Sequence, residues 1–323
     1  MVGRLNQIQV PPQAVNSPTP KRSVVSEESR RCPLCGSLKV EIYSLTKDKD
    51  LTASDIGSSR EIISHGTILR CSICRFGFRM LRPAEEELAS LYGQLVPEIY
   101  EKESKGRFKT ARRHLGIISR YSNGQRLLDV GCASGAFLRC AADAGWNVVG
   151  VEPASALCAK AKESIGERGT VINLPLQQTD LPSSSFDVAT LWDVLEHVPK
   201  PIEFLKLCAS LLKPGGYLFA NVPDLGSLQA RLLGEHWPLL LAEHLNYFDR
   251  ANLRQCGERA RLQLIKVGRR TASFSLGYLF FRLAQHGVPG TAVGHRIVNN
   301  SFLGGICIPV SLGEIYAVWK CPR

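Results

Sequence analysis

The sequence predicts an α/β fold, in which helices cover both faces of an open, mostly parallel sheet, plus a small N-terminal module. Short apolar runs alternate with helical segments between Leu127 and Val222, as in consecutive βαβ units. A turn of small residues follows the first run, and two Cys-x-x-Cys pairs precede it. The 323 residues are enough for one large domain and a small module.

The first thirty residues show no periodic apolar pattern. Residues 1–30 are rich in Pro, Ser, Gln and Asn, which predicts a disordered leader. The leader lacks the apolar segment of a secretory signal, and no run of 18 apolar residues occurs anywhere in the chain. We therefore expect a cytoplasmic protein.

Four cysteines predict a metal-binding module over residues 31–80. Cys32 and Cys35 form one Cys-x-x-Cys pair, and Cys71 and Cys74 form the other. The four thiolates of two such pairs can converge on one tetrahedral Zn²⁺, which would be structural because no position stays open for a substrate. The alternative is two unrelated pairs of thiols.

Residues 81–124 predict a helical linker or cap. One helix begins near Arg82-Pro-Ala-Glu, and a second is predicted over Lys105–Tyr121. Six basic and no acidic residues lie between Arg107 and Arg126 in a chain of net charge +11. This cluster predicts either a patch for phosphate groups or a solvated helix face.

The principal domain is predicted over residues 125–270. Its strands are predicted at Leu127–Val130, Gly145–Glu152, Gly169–Asn173, Ser185–Trp192 and Tyr217–Val222, with a last pair near Leu262–Arg269 and Glu314–Lys320. Helices are predicted at Ala136–Ala144, Ala154–Ser164 and Val198–Leu212.

The turn after the first strand predicts a nucleoside site. Gly131, Ala133 and Gly135 leave backbone N–H groups bare at the start of a helix. Asp129 suits a ligand with an amino group, and Glu152, at the end of the next strand, suits ribose hydroxyls. A nicotinamide dinucleotide is the rival ligand, but the Gly-x-Gly-x-x-Gly fingerprint is absent.

Four segments together resemble the ordered motifs of class I S-adenosylmethionine (SAM)-dependent methyltransferases. They read LLDVGCASGAF, VVGVEP, FDVATLWDVLEHV and LLKPGGYL. The resemblance implies a Rossmann-like methyltransferase sheet, with SAM as cofactor. The cofactor-binding residues that it implies are Asp129, Gly131, Cys132, Ala133, Gly135, Glu152, Pro153, Leu176, Trp192 and Asp193.

The cysteine pairs and the segment Ala242–Asp249 resemble a narrower group, the zinc-containing sugar C-methyltransferases. That resemblance implies acid–base roles for Glu243 and His244, with Tyr247 nearby. A structural histidine is the alternative for His244, and His197 is a second candidate base. Those sugar enzymes usually have a longer C-terminal domain, so an O-methyltransferase is at least as plausible.

The C-terminal residues 271–323 are expected to form an apolar lid segment and the final strand. Ser273–Ala284 predicts a helix over the acceptor cleft, and a peripheral membrane contact is the alternative. The expected partner is a small-molecule acceptor, such as a sugar or a phosphate-bearing, nucleotide-linked sugar. An RNA methyltransferase and a non-catalytic adaptor are the competing hypotheses; nucleic acid is disfavoured because no Asn/Asp-Pro-Pro-Tyr/Phe motif follows the fourth strand.

Overall fold

A computed structural model describes residues 27–48, 50–52, 55, 65–94, 104–285 and 290–323. The predicted leader therefore lies outside the described residues except for its last four, of which Glu28–Arg30 form a 3₁₀ turn. Within the described ranges, no helix is both long enough and apolar enough to span a membrane.

The helices and strands follow one another with the alternation that the sequence predicts. In chain order the strands are β1 (Val40–Ser44), β2 (Ile68–Cys71), β3 (Gly77–Arg79), β4 (Arg126–Val130), β5 (Asn147–Val151), β6 (Gly169–Ile172), β7 (Phe186–Leu191), β8 (Leu212–Pro223), β9 (Asn246–Tyr247), β10 (Gln263–Arg269), β11 (Ala272–Ser275), β12 (Cys307–Val310) and β13 (Glu314–Lys320). The helices are α1 (Glu85–Gly93), α2 (Ser104–Ile118), α3 (Ala136–Asp143), α4 (Ser155–Ile165), α5 (Pro201–Leu211), α6 (Leu228–Leu233), α7 (Arg250–Arg259), α8 (Leu276–Gln285) and α9 (Thr291–Asn299).

Seven strands form the central sheet in the order β10-β13-β8-β7-β4-β5-β6. Strands β4 to β8 pair in parallel, and β13 joins them antiparallel to both β8 and β10. The order reverses beside β4, since β5 lies on one side of it and β7 on the other. Such a switch point is where open α/β sheets bind ligands. The predicted Rossmann-like fold class is confirmed.

Adjacent strand residues point to opposite faces and so build two cores. Leu127 and Val188 pack with helices α2, α3 and α4, whereas Leu128 and Ala189 pack with α5 and α7. The second core extends to Phe76, which lies between the cysteines and β3, and to Phe78 within β3. One apolar layer thus joins the N-terminal module to the sheet.

The N-terminal module shares a sheet with the rest of the chain. Strands β1, β2, β3 and β9 pair in that order, all antiparallel. The pairs Gly77–Tyr247 and Phe78–Asn246 join β3 to β9, which belongs by sequence to the principal domain. The module therefore holds in place the segment that carries Glu243 and His244.

Two predicted elements have different limits in the structure. Strand β8 begins at Leu212, before the predicted start at Tyr217, and includes Lys213-Pro-Gly-Gly. The apolar segment Ser273–Ala284 is helical only from Leu276, because its first residues form β11 and pair with β12. These β11 residues belong to a separate two-stranded sheet.

Candidate active site

A cavity of about 430 Å³ opens at the carboxyl ends of β4 and β7. This volume lies within the ~300–1,000 Å³ typical of small-ligand pockets. Six of the ten predicted cofactor-binding residues line it: Asp129, Gly131, Cys132, Ala133, Trp192 and Asp193. The predicted catalytic pair Glu243 and His244 lines it too, so the fold brings two separate motifs to one space.

The turn after β4 has the backbone conformation that its small residues allow. Gly131 and Gly135 have φ values of 69° and 81°, and Ala133 has a φ of 46°. A Cβ at Gly135 would lie 3.0 Å from the Ala161 backbone, so only glycine fits where α3 begins against α4. Gly135 therefore has a packing role, outside the cavity wall.

Asp129 is a buried carboxylate at the cavity. Its Oδ1 accepts a hydrogen bond from the Thr190 hydroxyl at 2.7 Å, and its side chain is almost fully buried. Burial raises the pKa of Asp129 to about 7 although the Thr190 bond lowers it. A cationic ligand group would remove this penalty by pairing with the carboxylate.

Glu152, the predicted ribose-binding residue, does not line the cavity. Its carboxylate turns inward and accepts from the backbone N–H groups of Ala133 at 2.9 Å and Ala154 at 2.8 Å. It thus ties the turn after β4 to the start of α4 and lies outside the cavity wall. Pro153 and Leu176 also lie outside that wall, with Leu176 buried in the core. The ribose and adenine contacts of these residues stay predictions.

Four buried polar atoms on the cavity wall have no hydrogen-bond partner among the described residues. They are His114 Nε2, Trp192 Nε1, Glu196 Oε2 and Arg270 Nε. The rings of His114 and Trp192 stack at 3.8 Å between centroids, so these two belong to one surface. Buried polar groups normally have partners, so this convergence indicates a polar ligand.

Arg270, which the sequence did not predict as a site residue, forms ion pairs with two carboxylates on the cavity wall. Its Nη2 lies 2.9 Å from Asp193 Oδ2, and its Nη1 contacts Glu314. Although burial raises the pKa of Asp193, the charge of Arg270 and a 2.6 Å hydrogen bond from Asn221 lower it below its ordinary value. Asp193 therefore stays ionised. The only sequence signal was a pair of arginines directly after a predicted strand.

His197 and His244 face each other at the far end of the cavity. Their ring centroids are 4.9 Å apart. Burial lowers the pKa of His197 to about 4 and that of His244 to about 3, so both rings are neutral at pH 7. His244 Nδ1 lies 2.9 Å from the Leu239 carbonyl oxygen. This backbone contact orients the His244 ring.

Tyr247 does not reach the cavity. Its hydroxyl donates to the Leu241 carbonyl at 3.3 Å, and the side chain is fully buried in β9. Its ring lies 6.0 Å from the ring of His244. Tyr247 thus lies near His244, as predicted, but outside the cavity wall, and its catalytic role stays a prediction.

The four module cysteines lie together. Sγ atoms of Cys32 and Cys74 are 3.5 Å apart, as are those of Cys35 and Cys71, and all four lie within 4.8 Å of one another. Tetrahedral zinc with Zn–S bonds of ~2.3 Å separates its sulfurs by about 3.8 Å. The donor set fits Zn²⁺.

The basic residues between Arg107 and Arg126 have different surroundings. Arg107 lines the cavity, Arg113 donates to Ser273 on β11, and Arg126 lies over the ring of Phe186 at 4.8 Å. Arg107 is the member of the cluster that lines the cavity, whereas Lys109, Arg112 and Arg113 are exposed on α2.

Fold, turn and cavity together define a nucleoside-cofactor-binding α/β protein. The sequence model of the methyltransferase domain family matches residues 84–267, more than half of the chain. The chain belongs to this family, and its strand order and motifs are those of the class I SAM-dependent members.

Curated relatives match over shorter stretches. The ubiquinone biosynthesis O-methyltransferase of Actinobacillus pleuropneumoniae serotype 7 (strain AP76) is 36% identical over 155 residues, which cover 41% of this chain and 66% of the relative. The protein of the same name from Haemophilus ducreyi (strain 35000HP / ATCC 700724) is 38% identical over 106 residues, covering 30% and 45%. The chain thus spans less than two thirds of the length of each.

Solved structures of methyltransferases are also similar. A SAM-dependent methyltransferase from Archaeoglobus fulgidus has a TM-score of 0.46 and 17% identity, covering 66% of this chain and 94% of that one. Phosphoethanolamine N-methyltransferase 2 of Haemonchus contortus, in complex with S-adenosyl-L-methionine, has a TM-score of 0.42 and 16% identity, covering 66% and 53%.

Proposed function

We propose that the protein transfers a methyl group from SAM to an oxygen of a small-molecule acceptor. The observation that carries the proposal is the convergence of unpartnered polar atoms on the cavity that begins at the Gly131 turn. Family membership and the O-methyltransferase names of the relatives support it. Bound SAM supplies an activated methyl group, so the protein's main task is alignment.

The residues of this chain divide the cavity into two ends. The turn after β4 and Asp129 form the end that suits the cofactor, because a buried carboxylate favours the ammonium group of a methionine tail. His197, Glu243 and His244 lie on the same wall and would meet the acceptor. The acid–base roles of Glu243 and His244 stay predictions.

The wall between these ends favours an acceptor with an apolar body. Phe274, Tyr278, Leu279 and Leu283 line it from β11 and α8. Binding to such a surface gains about 25 cal/mol of free energy for each Å² of apolar area that is removed from water. Together with the relatives' names, it favours a phenolic or other apolar alcohol as the first acceptor class.

A sugar or nucleotide-linked sugar is the second candidate acceptor. Its specific support is the presence of Arg107 and Arg282 on the cavity wall, where a guanidinium suits a phosphate. Under this alternative, nucleotide-linked sugars would become methylated whereas phenols would not.

We test the proposal by mixing the full chain with labelled SAM and two panels, one of phenols and one of nucleotide-linked sugars. A methylated product with stoichiometric S-adenosylhomocysteine is expected from one panel. Calorimetry on the same folded sample separates the competing hypotheses: no binding of SAM would favour a non-catalytic adaptor. Binding followed by label in added RNA alone would favour an RNA methyltransferase.

We also propose that the four cysteines hold one structural Zn²⁺. The support is the close approach of four sulfurs on a module whose sheet includes β9. Elemental analysis of the purified chain, after dialysis against a weak chelator, should find one zinc ion per chain.

A further inference from the structure

Three side chains meet at the acceptor end of the cavity in an arrangement that methyl transfer does not require. Glu196 and His197 belong to the 3₁₀ turn Leu195–His197 after β7, and His244 lies in the loop before β9. One ligand-type atom from each lies within 4.8 Å of the other two. All three side chains line the cavity.

Both histidines are oriented by backbone carbonyl groups. His197 Nδ1 lies 3.0 Å from the Glu243 carbonyl oxygen, and His244 Nδ1 lies 2.9 Å from that of Leu239. A carbonyl oxygen only accepts, so Nδ1 carries the proton in each ring and Nε2 keeps its lone pair. Metal-bound histidines are typically held in this way.

Glu196 would supply the negative charge when a cation binds; without one, burial raises the pKa of its carboxyl group well above the ordinary value. Only 1% of the residue is exposed, and its Oε2 has no hydrogen-bond partner within the described part of the chain. An unpartnered buried carboxylate oxygen is costly, and a cation beside it would offset that cost. The Leu245 N–H, which donates to the Glu196 backbone carbonyl at 2.8 Å, fixes this turn against the His244 segment.

We propose that Glu196, His197 and His244 bind one divalent transition-metal ion on the cavity wall, with its remaining coordination positions open to the cavity. Imidazole and carboxylate ligands together suit the ions from Mn²⁺ to Zn²⁺. Bonds of up to ~2.2 Å place ligand atoms no more than about 4.4 Å apart, so a contraction of a few tenths of an ångström closes the site.

This metal site is separate from the cysteine cluster and does not depend on the proposed methyl transfer. It does bear on His244, because one Nε2 lone pair cannot hold a metal and accept a proton at the same time. If a metal ion is bound, His244 would be one of its ligands and not the general base. An acceptor oxygen would then occupy one of the open coordination positions.

The test is a titration of the full chain, dialysed against a weak chelator, with Mn²⁺ followed by electron paramagnetic resonance. Mn²⁺ is chosen because thiolates bind it poorly compared with imidazole and carboxylate ligands. One Mn²⁺ per chain is expected, and Glu196→Gln and His197→Gln should each weaken binding at least tenfold. Glu235→Gln and His236→Gln remove the same groups from an exposed turn and should leave binding unchanged.

No Mn²⁺ binding by the wild-type chain, or equal binding by the wild-type chain and the Glu196→Gln variant, would overturn the proposal. Circular dichroism checks that each variant is folded; if Glu196→Gln is not, His197→Gln decides by the same criterion. Methyl transfer is measured on the same samples. Metal binding without methyl transfer refutes the proposed function alone, and methyl transfer without metal binding refutes the metal site alone.

Discussion

The side-chain amide of Asn246 donates a hydrogen bond to the carbonyl of Val198 at 2.7 Å. A second hydrogen bond runs from the same amide to the Leu195 carbonyl at 3.3 Å. Strand β9 thus contacts both ends of the turn that carries Glu196 and His197. The side-chain Oδ1 of Asn246 accepts in turn from Arg82 Nη2 at 3.1 Å. One fully buried residue thus connects the two segments that form the acceptor end of the cavity.

Replacing Asn246 with Ala should loosen that end of the cavity. The change removes the donor to the buried Val198 carbonyl and leaves the Leu195 carbonyl with only the longer bond from the Val198 N–H at 3.5 Å, which costs about 1–3 kcal/mol of unfolding free energy. Urea unfolding measures this loss, and turnover should fall while SAM affinity stays near that of the wild type. Asn147→Ala, at the exposed first position of β5, is the control and should change stability by less than about 0.5 kcal/mol. A stability loss no larger than that of the control would contradict this role.

The affinity for SAM should rise with pH through neutrality. Burial raises the pKa of Asp129 to about 7, and only its ionised form attracts a cationic ligand. As pH falls below that value the carboxyl group takes up a proton that binding must displace, so affinity should drop by about tenfold between pH 8 and pH 6. Calorimetry at these pH values measures the change. Asp129→Asn should bind more weakly and with little dependence on pH; an equally steep profile in this variant would assign the titration to another group.

Removing Arg270 should destabilise the protein more at high pH than at low pH. Arg270→Gln leaves the buried carboxylate of Glu314 without its cation. The free energy of unfolding should fall by about 3 kcal/mol. This is the low end for a buried ion pair, because Asp193, the second partner of Arg270, is open to the cavity. Burial already raises the pKa of Glu314 to about 7, and the variant raises it further. A carboxyl group whose pKa is raised by folding destabilises the folded state only at pH values above its pKa in the unfolded chain. The loss of unfolding free energy in Arg270→Gln should therefore be smaller near pH 5.5 than at pH 8.

Urea unfolding at both pH values checks this prediction. Arg269→Gln, at the exposed neighbouring position, should cost less than about 0.5 kcal/mol at either pH. A loss in Arg270→Gln that is the same at pH 5.5 and pH 8 would show that packing, and not the charge of Glu314, determines it.

The sequence predicted the sheet well because each strand is a short apolar run next to a helix with its own periodicity. It also predicted that Asp129, Trp192 and His244 belong to one site, since motif order follows strand order. Arg270 and Asn246 were missed because their roles depend on contacts between segments distant in sequence. Glu152 shows the same limit, since its position at the end of β5 was predictable but the direction of its carboxylate was not.

Replacing Cys32 with Ser should release zinc and also impair the acceptor end of the cavity. Without the metal, strands β1 to β3 lose the anchor that holds them in register, and β3 pairs directly with β9. The Arg79 N–H also donates to the Leu245 carbonyl at 3.0 Å, one residue after His244. After dialysis against the weak chelator, elemental analysis should find no zinc in Cys32→Ser, and limited proteolysis should cut within residues 31–80.

The effect on function should be selective, because the turn after β4 lies on the central sheet and does not belong to the module's sheet. SAM affinity should therefore change by less than threefold, whereas turnover should fall by at least tenfold. Cys307→Ser, a half-buried cysteine far in sequence from the module, is the matched control and should keep zinc, affinity and turnover. Full turnover in a zinc-free and folded Cys32→Ser protein would separate the module from the site, and β9 alone would then suffice to hold His244.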